Sequence, residues 1–465
     1  MTTVHNPLEA KDPVLSTLNR DGTRRWIRPK TSPGRLHRRR TIVAWLLIAV
    51  FTTIPYLEMN GKPLILLDIV QRKFTLFGAT FLPTDTRFLM LFMITILVGI
   101  FLITALVGRV WCGWACPQTV YMEFLFRPLE QWIEGGRGKQ LVLDRQGPNW
   151  RRLLRYVVFV PICMFLAHTF LAYFVGVEQL LQWVQSSPTQ HPWAFVVMAG
   201  VTAAMLFDFG FFREQTCLVA CPYGRFQSAL LDRCSLIVGY DFKRGEPRGK
   251  VRRGGGGEPA GDCIDCKACV TTCPTGIDIR NGLQMECIHC TQCIDACDQI
   301  MDRVGKPRGL IRYSSQAELA GERHRLLRPR VILYPLILLI SGTLLVVLLA
   351  SRSDTDVALL RARGALFQTI DATGEIANSL EVKLVNRSEV PREYLLEIVG
   401  EPRAKIVAPD NPIPVAAGQS VSVGIFVTGP AEMFTRGRKE LHVRVSAAGG
   451  FSKDVECFLL GPYSK

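Results

Sequence analysis

The chain is short of histidine and of acidic residues, and each shortage removes a class of function. Only seven of its 465 residues are histidine. Of these, only His168 falls inside an apolar stretch. A haem buried in a membrane would want a second histidine there, so an intramembrane haem is disfavoured. Acidic residues number 40 against 55 Lys and Arg, a formal charge of +15. No apolar run opens the chain, because residues 1–40 are polar and basic, which argues against a cleavable signal peptide. The disulfide framework of a small secreted protein is missing too. Eight of the fifteen cysteines crowd between Cys263 and Cys297. Dense, regularly spaced cysteine in a reducing compartment points to metal or cluster ligation.

A mean hydropathy of +0.20 beside 20% charged residues describes apolar spans separated by basic segments. A basic excess fits either nucleic acid or the cytoplasmic loops of a membrane protein, and position decides between them. Five apolar stretches occupy residues 41–57, 89–107, 156–175, 193–212 and 331–350. Each approaches the roughly 20 residues that cross a ~30 Å hydrocarbon core. The first is short and the fourth contains Asp208, a charge at the membrane exit, so a buried core helix is the alternative for those two. Lys and Arg crowd the tail, residues 109–153 and residues 213–330, whereas 176–192 has none. The loop at 58–88 carries only Lys62, Arg72, Lys73 and Arg87. The positive-inside rule then expects the N-terminus and the cysteine-rich segment in the cytoplasm, and the C-terminus outside. The charge reads as topology, with membrane lipid as a partner and no nucleic acid.

The expected organisation is a multi-domain membrane protein. A basic tail, 1–40, disordered up to the membrane, precedes a four-helix membrane domain at 41–212. A cytoplasmic ferredoxin-like domain follows at 213–330, then a fifth transmembrane helix at 331–350 and an all-β domain at 351–465. Within 241–262, KRGEPRGKVRRGGGGEPAG reads as a flexible linker between the fourth span and the cysteine-rich insert. In the last domain, Leu380 to Leu384 and Leu441 to Val445 alternate apolar and polar, the period of half-buried strands. Short strands punctuated by turns over about a hundred residues fit an immunoglobulin-like sandwich, here without the Cys…Trp…Cys signature because only Cys457 lies there.

The strongest chemical signal is Cys263-x2-Cys266-x2-Cys269-x3-Cys273-Pro274, repeated as Cys287-x2-Cys290-x2-Cys293-x3-Cys297. This is the run of a bacterial two-cluster ferredoxin, in which the fourth cysteine of each run ligates the other [4Fe-4S] cluster. The crossed scheme gives one cluster Cys263, Cys266, Cys269 and Cys297, and the other Cys287, Cys290, Cys293 and Cys273. Zinc would use separated pairs rather than unbroken triplets plus one. Thr275, Gly276 and Ile277 are expected to pack the turn over a cluster, and His289 to be an exposed neighbour rather than a ligand.

Two C-x3-C-P motifs form the second signal: Cys112 and Cys116 before Pro117, and Cys217 and Cys221 before Pro222. Each closes a helical hairpin, as in a parallel duplication. At i and i+4 of a helix both sulfurs would share a face, able to hold one soft metal such as Cu(I) or to act as a dithiol. Small buried cysteines used only for packing are the bland alternative. Cys163, Cys234 and Cys457 are expected to pack. His168 is either functional, as an intramembrane ionisable group, or a neutral histidine bonded to a backbone carbonyl.

The stretches Trp111 to Thr119, Cys217 to Gln227 and Gly245-Glu246-Pro247-Arg248-Gly249 resemble the CcoG (FixG, RdxA) family, accessory proteins for assembly of cbb-type cytochrome c oxidase. The resemblance covers nearly the whole chain, including residues 67–74 and the C-terminal domain. Polyferredoxins of nitrate and nitrous oxide respiration share the C-x3-C-P motifs, and the linker signature and C-terminal domain distinguish the two. The resemblance implies a multi-pass protein of the bacterial inner membrane with its C-terminal domain in the periplasm. It implies a cupric reductase, an oxidoreductase converting Cu(II) to Cu(I), with Cys112, Cys116, Cys217 and Cys221 as catalytic, copper-binding residues. The implied partners are a cytoplasmic electron donor and oxidase subunits or a copper chaperone. A non-enzymatic copper-binding scaffold and quinone-linked electron transfer are the competing functions.

Overall fold

Proline and glycine set the ends of the long helices. The computed structural model describes residues 16–17, 23–59, 61–70, 73–81, 85–147, 149–249, 261–323, 327–351, 353–362, 364–370, 374–388 and 390–463. Helix α1 is Arg35–Thr53. Helix α2, Thr86–Val107, stops at Gly108, whose φ of 60° favours glycine. Helix α3, Trp150–Val175, starts under Asn149, whose side chain accepts the Arg151 N–H at 3.1 Å, and stops at Gly176. Helix α4, Pro192–Phe207, begins on a proline at its first position and runs on as a wider π turn, Asp208–Phe212. Helix α5 is Pro329–Ala350.

Among the described residues, four stretches are long and apolar enough to cross a membrane: Arg87–Val107, Trp150–Val175, Pro192–Phe212 and Pro329–Ala350. Their apolar windows are only 6% to 39% covered by the rest of the protein, as lipid-facing surface requires. The chain is a multi-pass membrane protein. Helix α5 lies against α2, where Thr95 Oγ1 donates to Ser341 Oγ at 3.1 Å, a polar tie of the kind that holds helices together in lipid. Helix α1, expected as the first span, does not join these four. Its apolar part, residues 41–53, is about 20 Å long at ~1.5 Å per residue, and its first turns carry Arg35, Arg38, Arg39 and Arg40.

The chain divides into two compact units, Met1–Leu345 and Val346–Lys465. In the first, the second cysteine run enters the helix Gln292–Arg303, which carries Cys293 and Cys297, and both runs share a core with two antiparallel strands, Ile237–Tyr240 and Ile311–Ser314. Two expectations are corrected here. Residues 241–249 are not a free linker: Gly249 N–H donates to Cys263 O at 3.1 Å and Gly261 N–H to Pro247 O at 2.9 Å, so the segment is folded into the cluster-bearing domain. The glycine-rich stretch 250–260 lies outside the described residues. Nor does the described part of the tail hang free, although 1–15 and 18–22 lie outside the described residues. Lys30 N–H bonds Thr271 O at 2.9 Å, and the Asp295 carboxylate, between Cys293 and Cys297, accepts the Leu36 and His37 N–H groups at 3.3 and 2.7 Å. That carboxylate caps the N-terminus of α1 from another element.

The physical reason is a buried charge network. Glu130 accepts from Arg28 at 2.5 Å, Arg155 at 2.8 Å and Arg213 at 2.9 Å. Glu214 pairs with Arg127 at 3.2 Å and Arg24 at 3.4 Å. Arg24 and Arg28 of the tail are therefore partners of buried carboxylates rather than charges waiting at a lipid surface. The network joins the tail, the segment after the first C-x3-C-P motif, the start of α3 and the segment before the second motif.

The second unit is a sandwich of two antiparallel sheets. One orders Lys405–Val407, Gln419–Gly429, Ile376–Asn386 and Thr355–Arg361; the other orders Ile413–Val415, Arg392–Val399, Arg438–Ala447 and Phe451–Leu460. Alternate residues such as Leu380, Val382 and Leu384 face Leu441, Val443 and Val445 in one core. Buried Asn378 joins the sheets, exchanging two hydrogen bonds with Leu460. Cys457 packs within this core, as expected.

Candidate functional site

Cysteine spacing becomes geometry in two adjoining cavities. One is lined by Cys263, Cys266, Cys269 and Cys297, the other by Cys273, Cys287, Cys290 and Cys293, with Cys269 at their boundary. The fourth cysteine of each run has crossed to the other cavity. None of the fifteen cysteines is in a disulfide. Burial pushes the Cys269, Cys287, Cys290 and Cys297 thiols up to about 12, and metal binding to such thiols releases protons. Eight thiols converging on two cavities fit two [4Fe-4S] clusters in donor type and number. Thr275 and Ile277 line the second cavity, and Thr275 Oγ1 lies 3.4 Å from Cys273 Sγ.

His289 is not the exposed neighbour that its place in the run led us to expect. It is 1% exposed and lines the second cavity. Its Nδ1 accepts the Arg109 backbone N–H at 3.1 Å, which puts the ring proton on Nε2. Burial, with the Arg109 charge beside it, lowers its pKa to about 3, so the ring is neutral.

The C-x3-C-P motifs depart from a continuous helix. Val110–Trp114 ends before Cys116, whose ψ of 127° is extended, and a new helix starts on Pro117. The second motif repeats this: a π turn, Thr216–Ala220, then extended Cys221, then a helix from Pro222. The residue before proline is driven out of the helical region, whereas proline itself suits the first position of a helix. The two sulfurs of a motif thus belong to successive elements, not to one helical face.

The fold does bring the motifs together. Cys112 Sγ donates to Oε1 of Gln227 in the second motif's helix at 3.0 Å. Burial and the nearby Cys116 and Cys221 raise the Cys112 thiol to about 11, against the pull of Arg109. Burial, with Cys116, Cys112 and Cys221 close by, raises Cys217 as well. No three of these sulfurs close to within 4.8 Å of one another, a spacing reached among the described residues only by exposed Glu440, His442 and Glu456 on the sandwich. Asp208, expected only as a charge at the membrane exit, accepts from Gln118 of the first motif at 3.1 Å and from Thr216 of the second.

The four-cysteine site and the second cavity are in contact. Cys112, Ile288 and Cys290 form one buried cluster with Tyr223 beside them. A Cβ on Gly113 would lie 2.6 Å from Ile288 O and 2.7 Å from His289 O, so only glycine allows this approach. Trp114 Nε1 donates to Tyr313 OH at 3.0 Å, and Tyr313 OH to His289 O at 3.4 Å. Cys163 packs in the membrane core with Phe126, Phe159 and Phe209. His168 Nδ1 is bonded to Met164 O of its own helix at 2.7 Å. The carbonyl-bonded alternative therefore describes it.

Comparison with known proteins places these features. Residues 212–316 match the family described as "4Fe-4S dicluster domain", 345–462 "IG-like fold at C-terminal of FixG" and 89–140 "4Fe-4S binding domain". Protein RdxA of Cereibacter sphaeroides is 38% identical over 88% of this chain and 92% of its own length. Protein RdxB of the same organism is 33% identical over 90% of this chain and 93% of its own. The nitrogen fixation protein FixG of Rhizobium meliloti is 31% identical over 93% and 92%. A solved FixG-related protein from Vibrio parahaemolyticus matches at 16% identity over 24% of this chain and 98% of that one, with a TM-score of 0.21.

Proposed function

The chain belongs to the FixG/RdxA family of membrane-bound iron–sulfur electron-transport proteins, and from that premise we propose that it reduces Cu(II) to Cu(I) for the copper centre of a cbb-type cytochrome c oxidase. The observation that carries the proposal is the buried contact of Cys112 with Ile288 and Cys290, which joins a four-thiol site to a cluster cavity. Cys263, Cys266, Cys269 and Cys297 hold one cluster, and Cys273, Cys287, Cys290 and Cys293 the other. When bound, the clusters supply one-electron carriage from a cytoplasmic reductant. Copper is the substrate: each Cu(II) gains one electron at Cys112, Cys116, Cys217 and Cys221, and soft thiolate ligands favour the Cu(I) product. Gly113, pressed on the Ile288–His289 backbone, keeps the two sites adjacent. Asp208 ties the two motifs to each other through Gln118 and Thr216.

The protein sits in the inner membrane with α1 as a short fifth span. Its N-terminus and cluster domain are cytoplasmic, and the sandwich is periplasmic, where it docks oxidase subunits or a copper chaperone. Replacing Cys112, Cys116, Cys217 and Cys221 by serine should abolish Cu(II) reduction while the iron content stays at the wild-type level. Unchanged copper reduction in that variant would refute the site. A second reading is favoured by the "4Fe-4S binding domain" match at 89–140, a segment whose only cysteines are Cys112 and Cys116. In that reading the four thiols themselves take iron and sulfide. The same variant would then lose iron beyond what two clusters need.

A further inference from the structure

Among the described residues, buried arginine is matched to carboxylate, with two exceptions. Arg28, Arg127, Arg155, Arg213 and Arg280 each pair with Asp or Glu within 3.2 Å. Arg40 is 0% exposed and Arg109 2% exposed, and among the described residues neither has an acidic partner. Arg40 Nε donates to Gly113 O at 2.9 Å, but its two terminal nitrogens are enclosed with no hydrogen-bond acceptor. Arg109 donates one terminal nitrogen to Met285 O, and its buried Nε has no acceptor. Taking such a cation out of water is costly unless an anion meets it. A fold that supplies a carboxylate to every other buried guanidinium has left these two for something else.

The Arg40 guanidinium lies 5.1 Å from the centre of the Phe124 ring, and beyond that ring both cations act on sulfur. Arg40 bridges the two sites: its Nε holds the Gly113 carbonyl between Cys112 and Cys116, and its charge acts on Cys290 and Tyr313. Arg109 acts on Cys112 and Cys217 of the four-cysteine site and on Cys287 of the second cavity. Its backbone N–H meanwhile holds His289. We infer that Arg40 and Arg109 are the counter-cations of the second cluster and of the four-cysteine site, and that they set the reduction potentials there. Thiolate-ligated clusters and copper–thiolate centres are anionic, and a fixed positive charge stabilises the form carrying one more electron. Each arginine therefore raises the potential of the centre it faces. The first cavity lies toward Arg280, whose charge Asp278 and Asp265 already take up. The asymmetry makes the second cluster the better acceptor, so electrons run toward the four cysteines. The inference rests on the cluster-ligand assignment above, and its test, read at the clusters, does not need copper.

The test is a potentiometric titration of the full-length, detergent-solubilised protein, read by electron paramagnetic resonance. Arg40→Met should lower the potential of one of the two clusters by at least a tenfold change in its reduction equilibrium, about 59 mV for a one-electron couple. The other cluster should keep its wild-type value. Arg40→Lys, which keeps the charge but not the planar bond to Gly113, should recover most of the shift. Arg109→Gln, which keeps the backbone bond to His289, should lower the same cluster. Unchanged potentials at full iron content would overturn the inference, as would equal shifts of both clusters. If Arg40→Lys behaves as Arg40→Met, the role is the Gly113 bond and not charge, which also overturns it. Should Arg40→Met not fold, Arg109→Gln and Arg40→Lys still decide. Cys290→Ser checks the ligand assignment separately, because it should perturb one cluster signal whatever the arginines do.

Discussion

Glu130 is a single carboxylate that decides where a stretch of chain lies. Three guanidinium groups, from Arg28, Arg155 and Arg213, converge on its Oε1. Burial opposes its charge, but Arg213 and Arg28 overcome that and hold its pKa well below the usual carboxylate range. Glu130→Gln leaves three buried cations without their shared partner, which costs about 3–5 kcal/mol, read as a fall in unfolding temperature. A depressed folded pKa means that this stability is complete above the unfolded value of about 4.3 and is lost only as pH falls below it. The gap between wild type and Glu130→Gln should therefore be equal at about pH 7 and about pH 5 and narrow in stronger acid. A gap that closes already at pH 5 would contradict the network. None of this was legible in the sequence. Arg28 and Glu130 are 102 positions apart, and a basic tail ahead of an apolar run looks the same whether its arginines meet lipid or glutamate. His289 was hidden for a similar reason, because its burial depends on Arg109 and Gly108 arriving from another element.

At the scale of elements, legibility follows the range of the interactions involved. The cysteine runs and the alternating strands were readable because local spacing fixes both, the first by cluster geometry and the second by the two-residue period of a strand. The C-x3-C-P motifs were misread as helix faces although Pro117 and Pro222 carried the signal, since the residue before each proline leaves the helix. Their convergence depends on Gln227 reaching Cys112 across the hairpins, which no local pattern announces. The approach of the first motif to the second cavity rests on Gly113. Gly113→Ala would push a methyl group against two backbone carbonyls, at 2.6 and 2.7 Å, so one element has to move. The expected cost is about 1–3 kcal/mol, with slower oxidation of the reduced clusters by Cu(II) and unchanged cluster content. A wild-type oxidation rate in Gly113→Ala would show that this contact is not on the electron route.

The whole molecule places its redox centres in one direction. The first cavity includes exposed Cys266, the second shares a boundary with it through Cys269, and the four-cysteine site touches the second through Cys112. An electron entering at the surface of the cluster domain thus has a contiguous way to thiols beside the membrane helices. The sandwich forms a compact unit of its own with a separate core. The most direct measurement is anaerobic. The purified protein is reduced, Cu(II) is added, and cluster oxidation is followed optically while Cu(I) is trapped by a chelator. Oxidation of the clusters matched one-for-one by Cu(I) is the predicted result, and clusters that stay reduced while copper binds would contradict electron delivery to copper.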